Sequence, residues 1–475
     1  MNKTKNKNLS CTTILVGKKA SADGSTIIAR DEDYYGPVGP IKFTVRPAKN
    51  QSHKIFKSRE TGVKIPLPDH AYRYTCEPMT SPRYGNSSYE YEEGGINEKN
   101  VAMSSTETTY SNERFLGCDP LVKHGVNEES MLTLVLPYID NARQGVQRLG
   151  RLISKYGTGE SNGISFSDHN EVWYMETAGG HHWVACRIPD DAYAIAPNQI
   201  SIQDIDFNDH KNFMYSSDLK QFVDHYHLNL NPRTFNFRNI AGTHTEFDAH
   251  YNTPRAWYGQ KLFTPEVKQS PTSQNIPFIQ HANRKLTIQD IGYFLSSHYQ
   301  QTPYDPFTHP ALLKHPVFRP IAIDRNQVTH ILQIRNNASP QYAAIEWLAM
   351  GFLSYSPYVP FYANINHTPK NYQTTGTEVT MKSAYWMYKT LPVLIEPHYH
   401  HFINEVNQYV KASQAYGIHR INQTDMKAKK LNGQQLTDFL TKSTDTTANH
   451  VSAKTKHLIS NLIKESLHLS QITFG

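Results

Sequence analysis

Apolar and polar positions alternate along this chain in two rhythms, one of about two residues and one of about 3.6, and the changes of rhythm mark out its elements. Near the start, Cys11-Thr12-Thr13-Ile14-Leu15-Val16-Gly17 and Ser25-Thr26-Ile27-Ile28-Ala29-Arg30-Asp31-Glu32-Asp33 are rich in β-branched residues, and the segment between them closes on Asp23-Gly24. A turn dipeptide between two such runs predicts a β-hairpin. Within 128–155 the rhythm becomes helical: Ile139, Val146, Leu149, Leu152 and Ile153 share one face, Pro137 divides the stretch into two helices, and Gly157 stops it. Four short β-rich runs follow at 164–167, 172–177, 183–188 and 192–196, separated by Asp168-His169-Asn170, Gly179-Gly180 and Pro189-Asp190-Asp191. They read as one antiparallel meander.

The remaining segments are coarser. Residues 34–90 are loop-rich around a strand at 41–45, an insertion suited to covering a cleft. Residues 97–106 predict a strand, and 200–285, rich in Pro, Asn and His, predict substrate-shaping loops. A helix is expected over 287–299, with Thr287 and Asp290 placed as a capping box. Strands are expected at 329–336 and 342–352, and helices over 382–415 and 433–470. The Lys-, Thr- and Asn-rich tail reads as a helical arm or a subunit contact, so a homo-oligomer is expected. Strand blocks separated by helices indicate an α+β fold.

Composition narrows the function. The 475 residues are 38% hydrophobic and 11% aromatic, enough for a large core and against global disorder. Lys3, Lys5 and Lys7 supply half of the net charge of +6. The remainder is too small to indicate a nucleic-acid partner, and no basic stripe interleaves with aromatics. Cys11, Cys76, Cys118 and Cys186 stand far apart, which fits neither a zinc knuckle nor a disulfide framework and points to a reducing, cytoplasmic compartment. The first ten residues have no apolar h-region, and no run of about 18 apolar residues predicts a membrane span. The 24 histidines lack the His-x-x-x-His spacing with a glutamate that a zinc hydrolase needs. No P-loop, dinucleotide fingerprint or Gly-x-Ser-x-Gly elbow occurs, so neither metal nor cofactor is expected. A papain-like triad stays open on composition, although the local signature around its cysteine is absent.

The hairpin carries the candidate chemistry. It places Cys11 at one strand's outer end, with Arg30 and Asp33 at the matching end of its partner. A thiol attacks as its thiolate and needs a base or a positive neighbour. A cut before Cys11 would free an α-amine titrating at about 7.7–8.0, able to act as general base beside its own sulfur. Arg30 can depress the thiol pKa and Asp33 can orient the amine. The alternative is an ordinary buried strand cysteine.

Cys11-Thr12-Thr13, a turn, Asp23-Gly24-Ser25 and Arg30-x-x-Asp33 together resemble the cysteine N-terminal-nucleophile hydrolases. The likeness is strongest to the dipeptidase A family, relatives of bile salt hydrolases and penicillin V acylase. It continues in order through Glu93-Gly94-Gly95-Ile96-Asn97, Gly159-Glu160-Ser161-Asn162-Gly163, Val172-Trp173-Tyr174-Met175-Glu176, Ala196-Pro197-Asn198-Gln199 and Thr253-Pro254-Arg255-Ala256-Trp257. The resemblance implies a propeptide at 1–10, removed autocatalytically, where the sequence alone equally allows a disordered tail. It implies a catalytic domain at 11–400, an αββα sandwich of two stacked antiparallel sheets flanked by helices with loop insertions. A helical extension at 401–475 would pack on the same domain.

The implied activity is hydrolysis of dipeptides with a free N-terminus through a thioester on Cys11. Asn198 falls where the relatives keep an oxyanion-hole asparagine; otherwise it is a turn residue after Pro197. Arg255 matches their second arginine; otherwise it packs on Trp257 or Tyr258. Glu107 stands where they place an asparagine, and its carboxylate suits a substrate ammonium; otherwise it is a solvated strand-end residue. The alternatives are an amidase acting on bile-salt- or penicillin-type acyl amides, and a catalytically silent interaction protein.

Overall fold

The computed structural model describes residues 11–34, 36–80 and 91–470, without the side chains of Thr106, Glu107 and Pro310. Two antiparallel sheets dominate it. The first has seven strands in the order Ile279–Gln280, Tyr193–Ala196, Thr12–Val16, Thr26–Asp33, Asn326–Ile334, Ala344–Met350 and Val359–Tyr362. The second has six, Gly94–Ile96, Ala102–Thr108, Asn162–Ser167, Val172–Ala178, His182–Ile188 and Phe213–Tyr215. The expected hairpin forms with Thr12 opposite Asp31 and Thr13 opposite Arg30, and Gly24 takes the positive φ of 80° that its turn requires.

Strand alternation sorts the side chains into layers. Leu15, Ile28 and Leu332 of the first sheet meet Val172, Tyr174, Val184 and Cys186 of the second in one core. On the opposite face Ile14, Val16, Ile27, Ala29 and Ile331 pack under Phe263, Phe294, Leu391, Phe402 and Leu440. The second sheet's outer face, with Phe166, Trp173 and Met175, is covered by Leu132, Val146, Leu149 and Ile153. These come from helices Glu128–Val135 and Ala142–Tyr156, split around Pro137 as expected and ended at Gly157. Helices Ala384–Ile395, Tyr399–Ala428 and Gly433–His468 lie over the first sheet, and Arg335 pairs with Asp425 at 2.5 Å. Among the described residues no helix is long and apolar enough to cross a membrane. The chain is therefore α+β, with antiparallel sheets and a helical C-terminal region.

Five expectations need correction. Residues 200–285, expected as loops, carry the helices Leu219–His225, Phe237–Ala241, Glu246–Tyr251 and Thr253–Phe263. The run at 192–196 does not join the meander. After the Pro189–Asp191 turn it crosses to the first sheet and pairs with Thr12–Val16. Gly17 permits the crossing, since a Cβ there would stand 2.2 Å from the Pro189 carbonyl oxygen. The insertion at 34–80 is a ladder of two-stranded ribbons, Thr44–Arg46 with Tyr74–Cys76, Lys49–Asn50 with His70–Ala71, and Ile55–Lys57 with Lys64–Pro66. The strand expected at 97–106 starts at Ala102, because Asn97 folds a turn, its Oδ1 accepting from Lys99 and Val101. The helix after Thr287 forms its capping box but ends at Leu295.

Candidate active site

The end of the hairpin gathers buried charges around a nucleophilic side chain. Cys11 is 2% exposed. Its Sγ lies 3.4 Å from Arg30 Nη1, which donates to it, and 3.2 Å from Glu32 Oε2. Arg30 and Glu32 share one strand face, two residues apart, and their side chains meet at 2.9 Å. Arg30 Nη2 also donates to Glu93 Oε2 at 2.7 Å and to the Glu93 carbonyl at 3.2 Å. Burial would lower the Arg30 pKa, but the charges of Glu32, the thiol, Glu93 and Glu128 raise it well above its usual value. A fixed guanidinium at the sulfur favours the thiolate, and the Glu32 carboxyl that accepts the S–H opposes it.

Asp31 and Asp33 point the other way, toward the helices. Asp31 accepts the Thr12 N–H. Asp33 is held by Arg319 and by the Asn326 amide. Arg255, fully buried in helix Thr253–Phe263, reaches Cys11 from this side. Its five N–H groups go to the carbonyls of Tyr251 at 2.9 Å and Cys11 at 2.5 Å, to Thr12 Oγ1 at 3.0 Å, to Asn198 Oδ1 at 2.8 Å and to Asn252 Oδ1 at 2.7 Å. A guanidinium can only donate, so it fixes Asn198 with its oxygen inward and its amide nitrogen free to act as donor. One amide hydrogen goes to the Thr108 carbonyl at 2.9 Å, and the second meets no acceptor among the described residues. Glu176 secures the loop that follows, accepting the N–H groups of Ser201 at 2.6 Å and Ile202 at 3.1 Å.

A family model for peptidase family C69 matches residues 10–412, beginning one residue before Cys11. The chain belongs to peptidase family C69. It is 45% identical over 464 residues to a probable dipeptidase of Latilactobacillus sakei, covering 98% of this chain and 97% of that protein. It is 42% identical over 476 residues to dipeptidase A of Lactobacillus helveticus, covering 98% and 99%. A dipeptidase of Bifidobacterium longum is 41% identical, covering 89% of this chain and 84% of that one. The resemblance to the dipeptidase A family is thereby borne out.

For this C69 chain, the sequence-predicted residues fall into two groups on either side of Cys11. Arg30 stands at the sulfur, and Arg255 with Asn198 at the carbonyl. Asp33 belongs to the carbonyl side with Arg319. Glu107 lies on strand Ala102–Thr108 opposite Gly163, next to a register shift; its side chain lies outside the described residues.

Sequence reasoning missed Glu32, Glu93 and Glu128. Only Glu32 carried a readable signal, its two-residue spacing from Arg30 on a strand. It also missed a buried series in which Ser104 Oγ stands 2.8 Å from His330 Nε2, and His330 Nδ1 stands 3.0 Å from Glu77 Oε2. A Cβ on Gly94 would lie 2.4 Å from that imidazole, so the ring is sealed on that face and ties the sheets together.

Proposed function

We propose that this chain hydrolyses dipeptides bearing a free N-terminus, with Cys11 as an N-terminal nucleophile. The observation that carries the reading is Arg30 Nη1 donating to Cys11 Sγ at 3.4 Å while Arg255 joins the Cys11 carbonyl to Asn198. Removal of residues 1–10 would free the α-amine as general base, which Asp33 would orient. The thiolate would attack the scissile carbonyl, and the second amide hydrogen of Asn198 would receive the developing oxyanion. The leaving amine would take the proton held by the α-amine, and water would then cleave the thioester. Arg255 acts as a positioning residue. Glu107 is a candidate for the substrate ammonium.

In this reading the two stacked sheets and their helices form an N-terminal-nucleophile αββα sandwich over 11–400. Residues 401–475 are its helical extension, and the protein works in the cytoplasm as a homo-oligomer. The names of the relatives support dipeptides as the substrate class. Intact mass tests the reading first. A species beginning at Cys11, absent from Cys11→Ala and active on unprotected dipeptides, is expected. A mass retaining residues 2–10 without activity would overturn it. A processed protein acting only on acyl amides would move it to the amidases.

A further inference from the structure

Beside Asn198 stands a row of three aromatic rings that the proposed mechanism does not use. The Thr108 carbonyl accepts the Asn198 amide at 2.9 Å, and Tyr110 comes two residues after it. Tyr251 gives its carbonyl to Arg255 Nε at 2.9 Å, and Nη2 of the same guanidinium holds Asn198 Oδ1 at 2.8 Å. Phe247 links the two tyrosines, edge-on to Tyr110 at 6.1 Å and stacked on Tyr251 at 4.5 Å. It is 40% exposed, so the row opens to solvent there. Arg255 and Arg319 lie 5.4 and 5.6 Å from the centre of the Tyr251 ring, which holds that ring in place.

Two hydroxyls in this row meet no acceptor among the described residues. Tyr110 Oη is buried and has no hydrogen-bond partner there. Tyr251 Oη accepts from Arg325 Nη2 at 2.9 Å, and its own hydrogen goes to none of the described residues. Burial pushes the Tyr110 hydroxyl up to about 12, the Tyr251 hydroxyl adds to the rise, and Arg255 and Arg325 oppose it. The group thus stays a donor, under two guanidinium charges. Asp248 also acts on it, but that carboxylate is taken by the Thr245 N–H and hydroxyl, both at 2.9 Å, and by the Asn252 amide at 2.7 Å. Donors and fixed positive charge without an acceptor make a place for an anion.

We propose that the hydroxyls of Tyr110 and Tyr251 bind the α-carboxylate of the dipeptide's second residue, with the Phe247 ring against that residue's side chain, an inference that rests on the dipeptidase reading above. Covalent geometry sets the distance. In a dipeptide held with its scissile carbonyl on Asn198, the α-carboxylate is one residue farther along, about 3.5 Å away, and its hydrogen bond adds about 3 Å. Its donors belong about 6–7 Å from the scissile carbonyl, the reach of side chains anchored, as both tyrosines are, on the hydrogen-bond partners of Asn198. A free carboxylate brings two charged oxygens to the two O–H donors. An amidated or extended C-terminus brings one neutral oxygen and leaves a donor unanswered. The subsite would thus favour substrates that end after their second residue.

The test follows alkylation of processed Cys11 by iodoacetamide, which needs no turnover. L-leucine, the free form of a leaving residue, should slow the alkylation of the wild type, and L-leucinamide should not. Tyr110→Phe removes a hydroxyl that meets no partner among the described residues, so it should fold as the wild type does. It should raise the leucine concentration needed for protection about tenfold or more. Tyr251→Phe should act in the same direction and decides the matter if Tyr110→Phe does not fold. With L-leucyl-L-leucine as substrate, Tyr110→Phe should raise KM more than it lowers kcat, and KM for the matching dipeptide amide should not move. A merely structural role would not split acid from amide. Undiminished protection in the folded variants would overturn the proposal. So would protection of the wild type by leucine and leucinamide alike, or by neither. Protection as expected in a processed protein that cleaves no dipeptide would keep the carboxylate site and remove only the dipeptidase reading.

Discussion

Strand Thr26–Asp33 has two faces that are equally buried and electrically opposite. Arg30 and Glu32 look between the sheets, where Glu93 and Glu128 crowd one guanidinium. Asp31 and Asp33 look toward the helices, where Arg319, Arg255 and the amides of Asn326, Asn198 and Asn252 gather. Burial raises Asp31 only to about 6, because Arg319 and Arg255 oppose it. Glu93, short of such neighbours, goes well above the normal range. Desolvation is common to both faces; the count of fixed cations decides which carboxyls stay charged. Cys11 sits on the boundary, with its sulfur turned to the acidic side and its carbonyl to the cationic side.

The severest way to break this contrast is to remove the group on the boundary. Cys11→Ser should lower kcat/KM for dipeptides by at least about a thousandfold, read by steady-state kinetics on protein of known N-terminus. Next comes the cationic side. Arg255→Lys keeps the charge but loses the fork that holds Cys11, Asn198 and Asn252 together. It should lower kcat about a hundredfold or more and the unfolding free energy by about 2–4 kcal/mol, measured by kinetics and urea titration. A variant that lost stability but not kcat would detach Asn198 from the chemistry.

The acidic side is sharpened by pH. Glu160 binds its proton with a pKa of about 8 when folded and about 4.3 when unfolded. Between those values the folded chain holds the extra proton, so stability falls as pH rises through the window. Glu160→Gln stays neutral and should flatten that decline, on the order of a few kcal/mol between pH 5 and 8. Denaturant titrations at the two pH values are the check. Thr12→Val removes one acceptor from Arg255 and should cost about 1 kcal/mol, with little change in KM.

Much of this was legible along the chain, and the rest was hidden for a definite reason. The hairpin could be read because β-branched runs and Asp23-Gly24 are local signals. The two-residue period also separates Arg30 from Asp33, which places them on opposite faces rather than together. Asn198 and Arg255 could be located only by motif, since neither pattern nor spacing says that a helix residue will reach the carbonyl of residue 11. Glu93 and Glu128 join Glu32 through tertiary packing of a strand start and a helix start, for which sequence has no local mark. The strand Tyr193–Ala196 was misassigned because a short turn normally keeps neighbours in one sheet; its departure depends on the close approach that Gly17 allows.

In the proposed mechanism, that departure governs when the chemistry can begin. Asn198 follows a strand that leaves the six-stranded sheet and completes the seven-stranded one beside Thr12–Val16. A chain that has folded only one sheet has no seated Asn198 and therefore nothing for Arg255 to join to Cys11. The closure links residues about 180 positions apart, a long-range contact of the kind that forms slowly. In the proposed mechanism, therefore, the Cys11 thiol waits on a long-range contact before it has its oxyanion donor in place.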